Sequence, residues 1–317
     1  MNFAEPPTRK VGVVICVLSG GVGAARLLRA MIDVVEPTSL VAVVNVGDDV
    51  VIHGLTVCPD IDTIIYTLAG LSDDARGWGL GDESWRVMEE LDALGGESWF
   101  RLGDRDLATH LYRSQRLAQG LTKTDVTREL AVRRRIPVTV LPVTDDVVST
   151  EFDTNLGRLT FQEYFVRHRH DLAVRAINVV GLSQARATSQ VISALRESDR
   201  IVIAPSNPLI SIDPLLRVPG VRDAIAHRRG EVVAVSPIVG GAALKGPADR
   251  LLHQFGHDVS PVGVADFYGD VVDRWIIDEV DAAYGADLRA RGFAVTVTTT
   301  VMAEPHHARR LAEAVLA

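Results

Sequence analysis

The sequence predicts an α/β protein built on a Rossmann-like open, mainly parallel sheet, with a helical insertion and a small β-hairpin. Three observations carry that expectation. Continuous apolar, β-branched runs recur along the chain, as they do in strands buried on both faces of a parallel sheet. Helix-like stretches separate most of these runs. A glycine-rich turn joins the first run to the first helix, where open α/β sheets commonly place a ligand.

The runs are VGVVICVL (11–18), VAVVNV (41–46), PVTVLPV (137–143), INVVGL (177–182), DRIVIAP (199–205), EVVAVSP (231–237) and RWIIDEV (274–280). The stretches AARLLRAMIDVV (24–35) and QVISALRES (190–198) read as helices between them. Residues 78–135 show amphipathic helical patterns and no convincing strand, so they form the expected insertion. FDTNLGRLTFQEYF (152–165) alternates apolar and polar residues around a glycine turn, the pattern of a hairpin. AEPHHARRLAEAVLA closes the chain as a helix starting near Pro305, with His306 and His307 exposed. The expected organisation is a flexible tail at 1–10 and one Rossmann-like domain at 11–317, with the helical insertion at about 78–135.

With 317 residues, 47% of them hydrophobic and 23% charged, the chain can bury a large core. No apolar run approaches the roughly 18–20 residues of a membrane span, and MNFAEPPTRK lacks an apolar signal region, so the expected compartment is the cytoplasm. Two cysteines, Cys16 and Cys58, make neither a disulfide framework nor a zinc motif. A net charge of −8 argues against a nucleic-acid binder, and the basic run at 133–135 is too short to track a phosphate backbone.

SGGVGAARLL (19–28) follows the first strand. Gly20, Gly21, Val22 and Gly23 would let the backbone approach a phosphate at a helix start. A tight turn without ligand is the simpler alternative. Gly21 and Gly23 also begin a dinucleotide fingerprint, but Arg26 stands at the third glycine position, which counts against a nicotinamide dehydrogenase. The segment VVNVGDDVVIHGLTVCPDIDT (43–63) holds Asp48, Asp49, Asp60 and Asp62 just past the second strand. Carboxylates facing phosphates need a cation between them. Mg²⁺ takes one or two carboxylates and completes its shell with water or phosphate oxygens, so two of the four are expected as ligands. Solvated turns and caps are the competing account.

Two further strand ends, APSNPLIS (204–211) and SPIVGGAALKGPA (236–248), bring hydroxyl, amide and backbone donors to the same rim. Lys245 is one of three lysines, with Lys10 and Lys123, and suits a phosphate or a guanine carbonyl if it is not simply a surface side chain. RLGDRDLATHLYRSQ (101–115) places Asp106, His110 and Arg113 at helical spacing after Asp104 and Arg105. A salt-bridged capping turn on an amphipathic helix explains that pattern equally well.

Taken in series, SGGVGAARLL, the aspartate segment, LGDRDLATHLYRSQ, LPVTDDVVST, APSNP and SPIVGGAALKGPA resemble the 2-phospho-L-lactate transferase family of coenzyme F420 biosynthesis. The resemblance runs from residue 13 to about 301 and includes the phosphoenolpyruvate transferases of bacteria. It implies transfer of a phospho-three-carbon-acid group, enolpyruvyl phosphate or 2-phospholactate, from its guanosine diphosphate ester. The acceptor it implies is the ribityl hydroxyl of the deazaflavin Fo, with GMP released and dehydro-F420-0 or F420-0 formed. It also implies a Mg²⁺-dependent homodimer. On this resemblance Asp49 and Asp62 carry catalysis and lead the Mg²⁺ ligands, Asp60 is the third ligand, and Asp48 is the weaker candidate. The glycine turn holds the diphosphate. Ser206, Asn207, Pro208, Ser236 and Lys245 bind the guanosine half, while Asn45, Thr63, Asp104 and His110 face Fo. A second resemblance, to nucleotide-sugar-binding regulators of the gluconeogenesis-factor type, implies no catalysis. Those relatives carry a glycine- and serine-rich continuation after the double aspartate, whereas this chain has DDVVIHGLTVCPDIDT and GDRDLATH, which favours the enzyme.

Overall fold

The computed structural model describes residues 13–317, so the expected tail and the first two residues of the first expected strand lie outside the described residues. Strand β1 (Ile15–Ser19) is buried at every residue and leads into α1 (Gly21–Ile32). Helix α1 turns Ala24, Leu27, Leu28 and Met31 inward at helical spacing. β2 (Leu40–Val44) follows, then a hairpin of β3 (Val50–Ile52) and β4 (Leu55–Val57). That hairpin turns through His53 and Gly54, both at left-handed φ of 53° and 76°. α2 (Pro59–Leu68) starts on Pro59, whose missing N–H costs nothing at a first helical position.

The segment expected as a helical insertion holds α3 (Arg86–Ala93), α4 (Asp104–Ala118) and α5 (Lys123–Arg133). β5 (Thr139–Pro142) returns the chain to the main sheet. β6 (Ser149–Thr154), β7 (Gly157–Thr160) and β8 (Val174–Val180) form a separate antiparallel sheet in the order β7-β6-β8. β9 (Arg200–Ile203) and β10 (Glu231–Val235) rejoin the main sheet, followed by the two-residue pair β11 (Ile238–Val239) and β12 (Ala242–Ala243). β13 (Arg274–Ile277), β14 (Ala294–Val297) and the helix Pro305–Leu316 complete the chain.

The main sheet has seven strands in the order β14-β13-β10-β9-β1-β2-β5, and every neighbouring pair is parallel. From β1 the chain builds outward to β2 and β5, then crosses back and builds the other way from β9. The order therefore reverses between β1 and β9, and the crevice outside the carboxyl ends of those two strands is where such sheets bind ligands. Among the described residues, no helix is long and apolar enough to cross a membrane.

One strand assignment is corrected. The run at 177–182 was expected in the parallel sheet, but it lies in β8, antiparallel to β6. A short apolar run cannot by itself distinguish the two settings. Its partner decides, and that partner is β6: Ser149 pairs with Val180 and Phe152 with Ile177 in antiparallel register. β14 was not expected from the sequence at all. Its four residues, AVTV, are too few and too exposed to stand out.

The glycine turn owes part of its composition to packing. A Cβ built on Gly23 would stand 2.5 Å from the Pro205 carbonyl oxygen, and one on Gly20 would stand 2.6 Å from Ser211 Cβ. The segment after β9 thus presses directly on the turn after β1, closing the switch-point crevice from one side. Gly23→Ala is expected to cost about 1–3 kcal/mol of stability through this overpacking. Urea denaturation monitored by circular dichroism measures it, and an unchanged midpoint would mean that the contact yields freely.

Candidate active site

Asp60 sits in the first turn of α2 and reaches across to the start of α1. Its Oδ1 accepts the Gly21 backbone N–H at 2.6 Å, and its Oδ2 accepts Asn45 Nδ2 at 2.9 Å. Asn45 Oδ1 in turn accepts the Gly47 N–H at 3.0 Å, so both ends of the Asn45 amide are assigned by their partners. The first amide of α1, which would otherwise face an incoming phosphate, is therefore capped by an internal carboxylate. Burial raises the Asp60 pKa to about 6 against the opposing hydrogen bonds from Asn45 and Gly21.

Asp62, two residues further along α2, is bound by Arg113 of α4. Arg113 Nη1 donates to Oδ2 at 3.0 Å and Nη2 donates to Oδ1, a bidentate pair with both side chains buried. Burial alone would lower the Arg113 pKa, but Asp62, by charge and hydrogen bond, together with Cys58 and Tyr66 more than offsets it and the pKa is raised. His110 Nδ1 lies 3.2 Å from Arg113 Nη1. A guanidinium only donates, so Nδ1 accepts and the ring proton sits on Nε2. That nitrogen is 3.2 Å from Asp106 Oδ1 without hydrogen-bond alignment, and the same oxygen accepts Tyr66 Oη at 2.6 Å. Burial pushes the Asp106 carboxyl up, but its interactions with His110 and Tyr66 prevail and hold it low. Asp62, Arg113, His110, Asp106 and Tyr66 form one continuous buried chain between α2 and α4.

Asp48 and Asp49 occupy the turn between β2 and β3. The small antiparallel sheet covers this turn. Thr150 N–H donates to the Gly47 carbonyl at 2.7 Å, and Gln162 Nε2 donates to the Asp48 carbonyl at 2.9 Å. Asp49 Oδ2 accepts Lys123 Nζ from the start of α5. Asp48 Oδ1 and Asp49 Oδ1 are buried with no hydrogen-bond partner among the described residues. Burial, then the charges of Asp60, Asp49 and Asp62, push the Asp48 carboxyl well above the usual range. Burial also raises the Asp49 carboxyl, with Lys123 opposing.

Two orphaned carboxylate oxygens in adjacent residues, on the turn after β2, fit a hard divalent cation that takes two carboxylates and fills its shell from water and phosphate. They do not fit a cage of three. Among the described residues no group of three or more His, Cys, Asp or Glu side chains is placed to hold a metal ion. The expected set Asp49, Asp60 and Asp62 is not assembled around one point, because Asp60 is turned to Gly21 and Asn45 and Asp62 to Arg113.

The other expected residues mostly hold the rim together. Ser206 Oγ donates to the Gly20 carbonyl at 2.7 Å, Asn207 Oδ1 caps the Leu209 N–H at 3.0 Å ahead of the buried Pro208, and Ser236 Oγ donates to the Ile238 carbonyl at 2.9 Å. Lys245 is exposed and lies beside Gly77, where a built Cβ would be 2.5 Å from its Nζ. Val22 and Thr63 line a small crevice between α1 and α2 with Tyr66, Ser72, Gly77 and Trp78. Asp104 departs from expectation: its carboxylate accepts Ser84 Oγ and the Arg86 and Val87 N–H groups, capping α3. Its position at the first residue of α4 lets it serve the neighbouring helix start rather than the crevice. Arg113 and Lys123 join the site without being expected there. Arg113 stands in the motif at 101–115, and Lys123 stands out in the sequence only as one of three lysines.

The model of a family described as 2-phospho-L-lactate transferase CofD matches residues 15–308. The chain is 40% identical over 314 residues to a phosphoenolpyruvate transferase of Thermobifida fusca (strain YX), covering 95% of this chain and 96% of that protein. It is 42% identical over 284 residues to a phosphoenolpyruvate transferase of Streptomyces coelicolor, covering 88% and 89%. A 2-phospho-L-lactate transferase of Methanosarcina acetivorans is 35% identical over 300 residues, covering 95% and 97%. Among solved structures, a UPF0052 family protein from Bacillus halodurans superposes with a TM-score of 0.62 at 18% identity, covering 96% of this chain and 99% of that one. That last likeness concerns the fold.

Arg113→Met should leave Asp62 buried without its partner and destabilise the protein by about 3–5 kcal/mol. The double variant Asp62→Asn/Arg113→Met should recover much of this loss. Chemical denaturation of the three proteins tests the pair, and equal losses in the single and double variants would contradict it.

Proposed function

The chain belongs to the 2-phospho-L-lactate transferase (CofD) family and is a transferase, and on that premise we propose the reaction it performs. It transfers a phospho-three-carbon-acid group from a guanosine diphosphate ester to the ribityl hydroxyl of Fo. The acceptor oxygen forms a bond to the phosphorus that carries the acid, the bond from that phosphorus to GMP breaks, and the hydroxyl proton passes to solvent or a site carboxylate. The observation that carries this reading is the buried aspartate cluster, with two orphaned oxygens on the turn after β2, next to the switch-point strand β1, in a chain that matches the family along nearly its whole length.

Phosphoryl transfer asks the protein chiefly for positioning and for balancing negative charge. Asp49 and Asp48 are assigned to a divalent cation, Mg²⁺ in this proposal, with Asp60 joining if the donor draws it away from Gly21. The orphaned oxygens favour Asp49 and Asp48 over the Asp49 and Asp62 pair that the family resemblance implied. When bound, the cation supplies charge neutralisation at the donor phosphates. The start of α1 faces the diphosphate, and the Ser206–Pro208 and Ser236 turns support the guanosine side. Asp62, held by Arg113, is assigned to the acceptor hydroxyl beside His110. The planar deazaflavin is assigned to the open surface beside the crevice lined by Val22, Thr63, Tyr66 and Trp78, which at about 30 Å³ does not itself enclose a ring. Trp78 is 45% exposed and carries the Arg76 guanidinium 4.8 Å from its ring centroid, a ready stacking surface. A homodimer is part of the same reading.

Two outcomes test it. Asp49→Asn is expected to lower cation-dependent turnover by about two orders of magnitude or more, as loss of transition-state charge stabilisation does, while its circular dichroism stays native. Wild-type rates in that variant would remove Asp49 from the mechanism. Relatives named phosphoenolpyruvate transferases stand at 40% and 42% identity, so the enolpyruvyl donor should be preferred over the lactyl donor by about 10-fold or more in kcat/KM. Competition assays with both synthetic guanosine esters measure that ratio.

A further inference from the structure

Lys123 occupies an electrostatically unfavourable place in its own helix. A capping box between Thr122 and Asp125 fixes the start of α5, and Lys123 is its first helical residue, where the helix dipole disfavours a cation. Its side chain is nevertheless drawn in, only 10% exposed, with Nζ 2.5 Å from Asp49 Oδ2. Burial opposes the charged ammonium, but Asp49, by charge and hydrogen bond, together with Cys58 and Asp145 prevails, so the lysine pKa is raised. Meanwhile Asp49 Oδ1 and Asp48 Oδ1 lack partners among the described residues. The ammonium thus sits on a carboxylate whose second oxygen, and whose neighbour, are arranged for another cation.

A second anionic place lies beside it. Asp145 accepts the Thr124 N–H at 2.7 Å, and its charge also acts on Lys123. Asp145 lines a polar cavity of about 440 Å³ at the start of α5, together with Thr122, Thr124, Asp146 and Arg186. The buried Thr124 Oγ1 has no hydrogen-bond partner among the described residues, leaving an acceptor for an arriving ammonium in that cavity.

We propose that Lys123 is an internal counter-ion that exchanges with the divalent cation. Its ammonium holds Asp49 in the metal-free protein and moves toward Asp145 when a cation takes the Asp48–Asp49 oxygens. The inference rests on the reading that a cation binds there. The exchange has a physical logic on both sides. Without a counter-ion, buried Asp49 would stand unpaired beside three other carboxylates, an arrangement that destabilises a fold strongly. With the lysine seated, the cation must displace it, so cation affinity is held down until donor phosphates add their own attraction.

The test needs no turnover. Mn²⁺ binding to donor-free protein is measured by electron paramagnetic resonance for the wild type, Lys123→Met and Lys123→Met/Asp49→Asn. Lys123→Met should bind Mn²⁺ about 10-fold more tightly, a coupling of ordinary size between two sites, and the double variant should lose that gain. Equal or weaker binding by Lys123→Met overturns the exchange while leaving the cation site standing. No Mn²⁺ binding by the wild type or by Lys123→Met overturns both the exchange and the cation reading. A second measurement uses unmodified protein. With three lysines in the chain, amine acylation is readily mapped by mass spectrometry. The Lys123 rate, referred to exposed Lys245, should rise severalfold on adding Mn²⁺, and a constant ratio overturns the proposal even if the Met variant does not fold.

Discussion

The constraint on which this structure turns is the burial of four carboxylates at the carboxyl end of one strand and the helix that follows it. Like charges in a poorly solvated crevice must be balanced, protonated or spread over hydrogen bonds. The protein answers differently for each. Asp62 receives a bidentate guanidinium, Asp49 an ammonium, and Asp60 a helix-start amide and an asparagine. Asp48 receives none of these, and its carboxyl is pushed furthest toward neutrality by burial and by its three neighbours. The same pairs position the helical segment. Arg113 ties α4 to α2, and Lys123 ties α5 to the turn after β2, so the helices are held to the crevice by the charges that fill it.

Architecture supplies the remaining geometry. The switch point between β1 and β9 brings the glycine turn against the loop after β9, and Gly20 and Gly23 permit that contact. Ser206 then bonds the Gly20 carbonyl of the glycine turn and Asn207 caps its own loop, which keeps the loop shaped around the crevice. The small antiparallel sheet reaches the site from outside the main sheet, with Thr150 and Gln162 bonding the turn that bears Asp48. Positioning groups thus arrive from several separate parts of the chain, as a reaction governed by charge and alignment requires.

Much of this was legible in the amino-acid order, and the failures have a common cause. Buried parallel strands announce themselves by composition, so six of the seven expected runs map onto the main sheet, and the glycine turn and aspartates fall at its strand ends. The seventh, in β8, failed because its apolar content says nothing about its partner. Charge pairing was illegible for the same reason. Arg113 meets Asp62 from 51 residues away and Lys123 meets Asp49 from 74, separations at which no local spacing rule applies. Asp104 misled in the opposite direction, since a residue in a conspicuous acidic motif turned out to cap a neighbouring helix.

The most direct test of the account is a crystal structure of the protein with Mn²⁺ and GDP, read through the anomalous signal of the metal. The account predicts a peak within about 2.2 Å of carboxylate oxygens of Asp49 and Asp48, completed by water and phosphate, with Arg113 still seated on Asp62. A metal bound by Asp62 with Arg113 displaced, or no anomalous peak at the aspartates despite bound nucleotide, would contradict it.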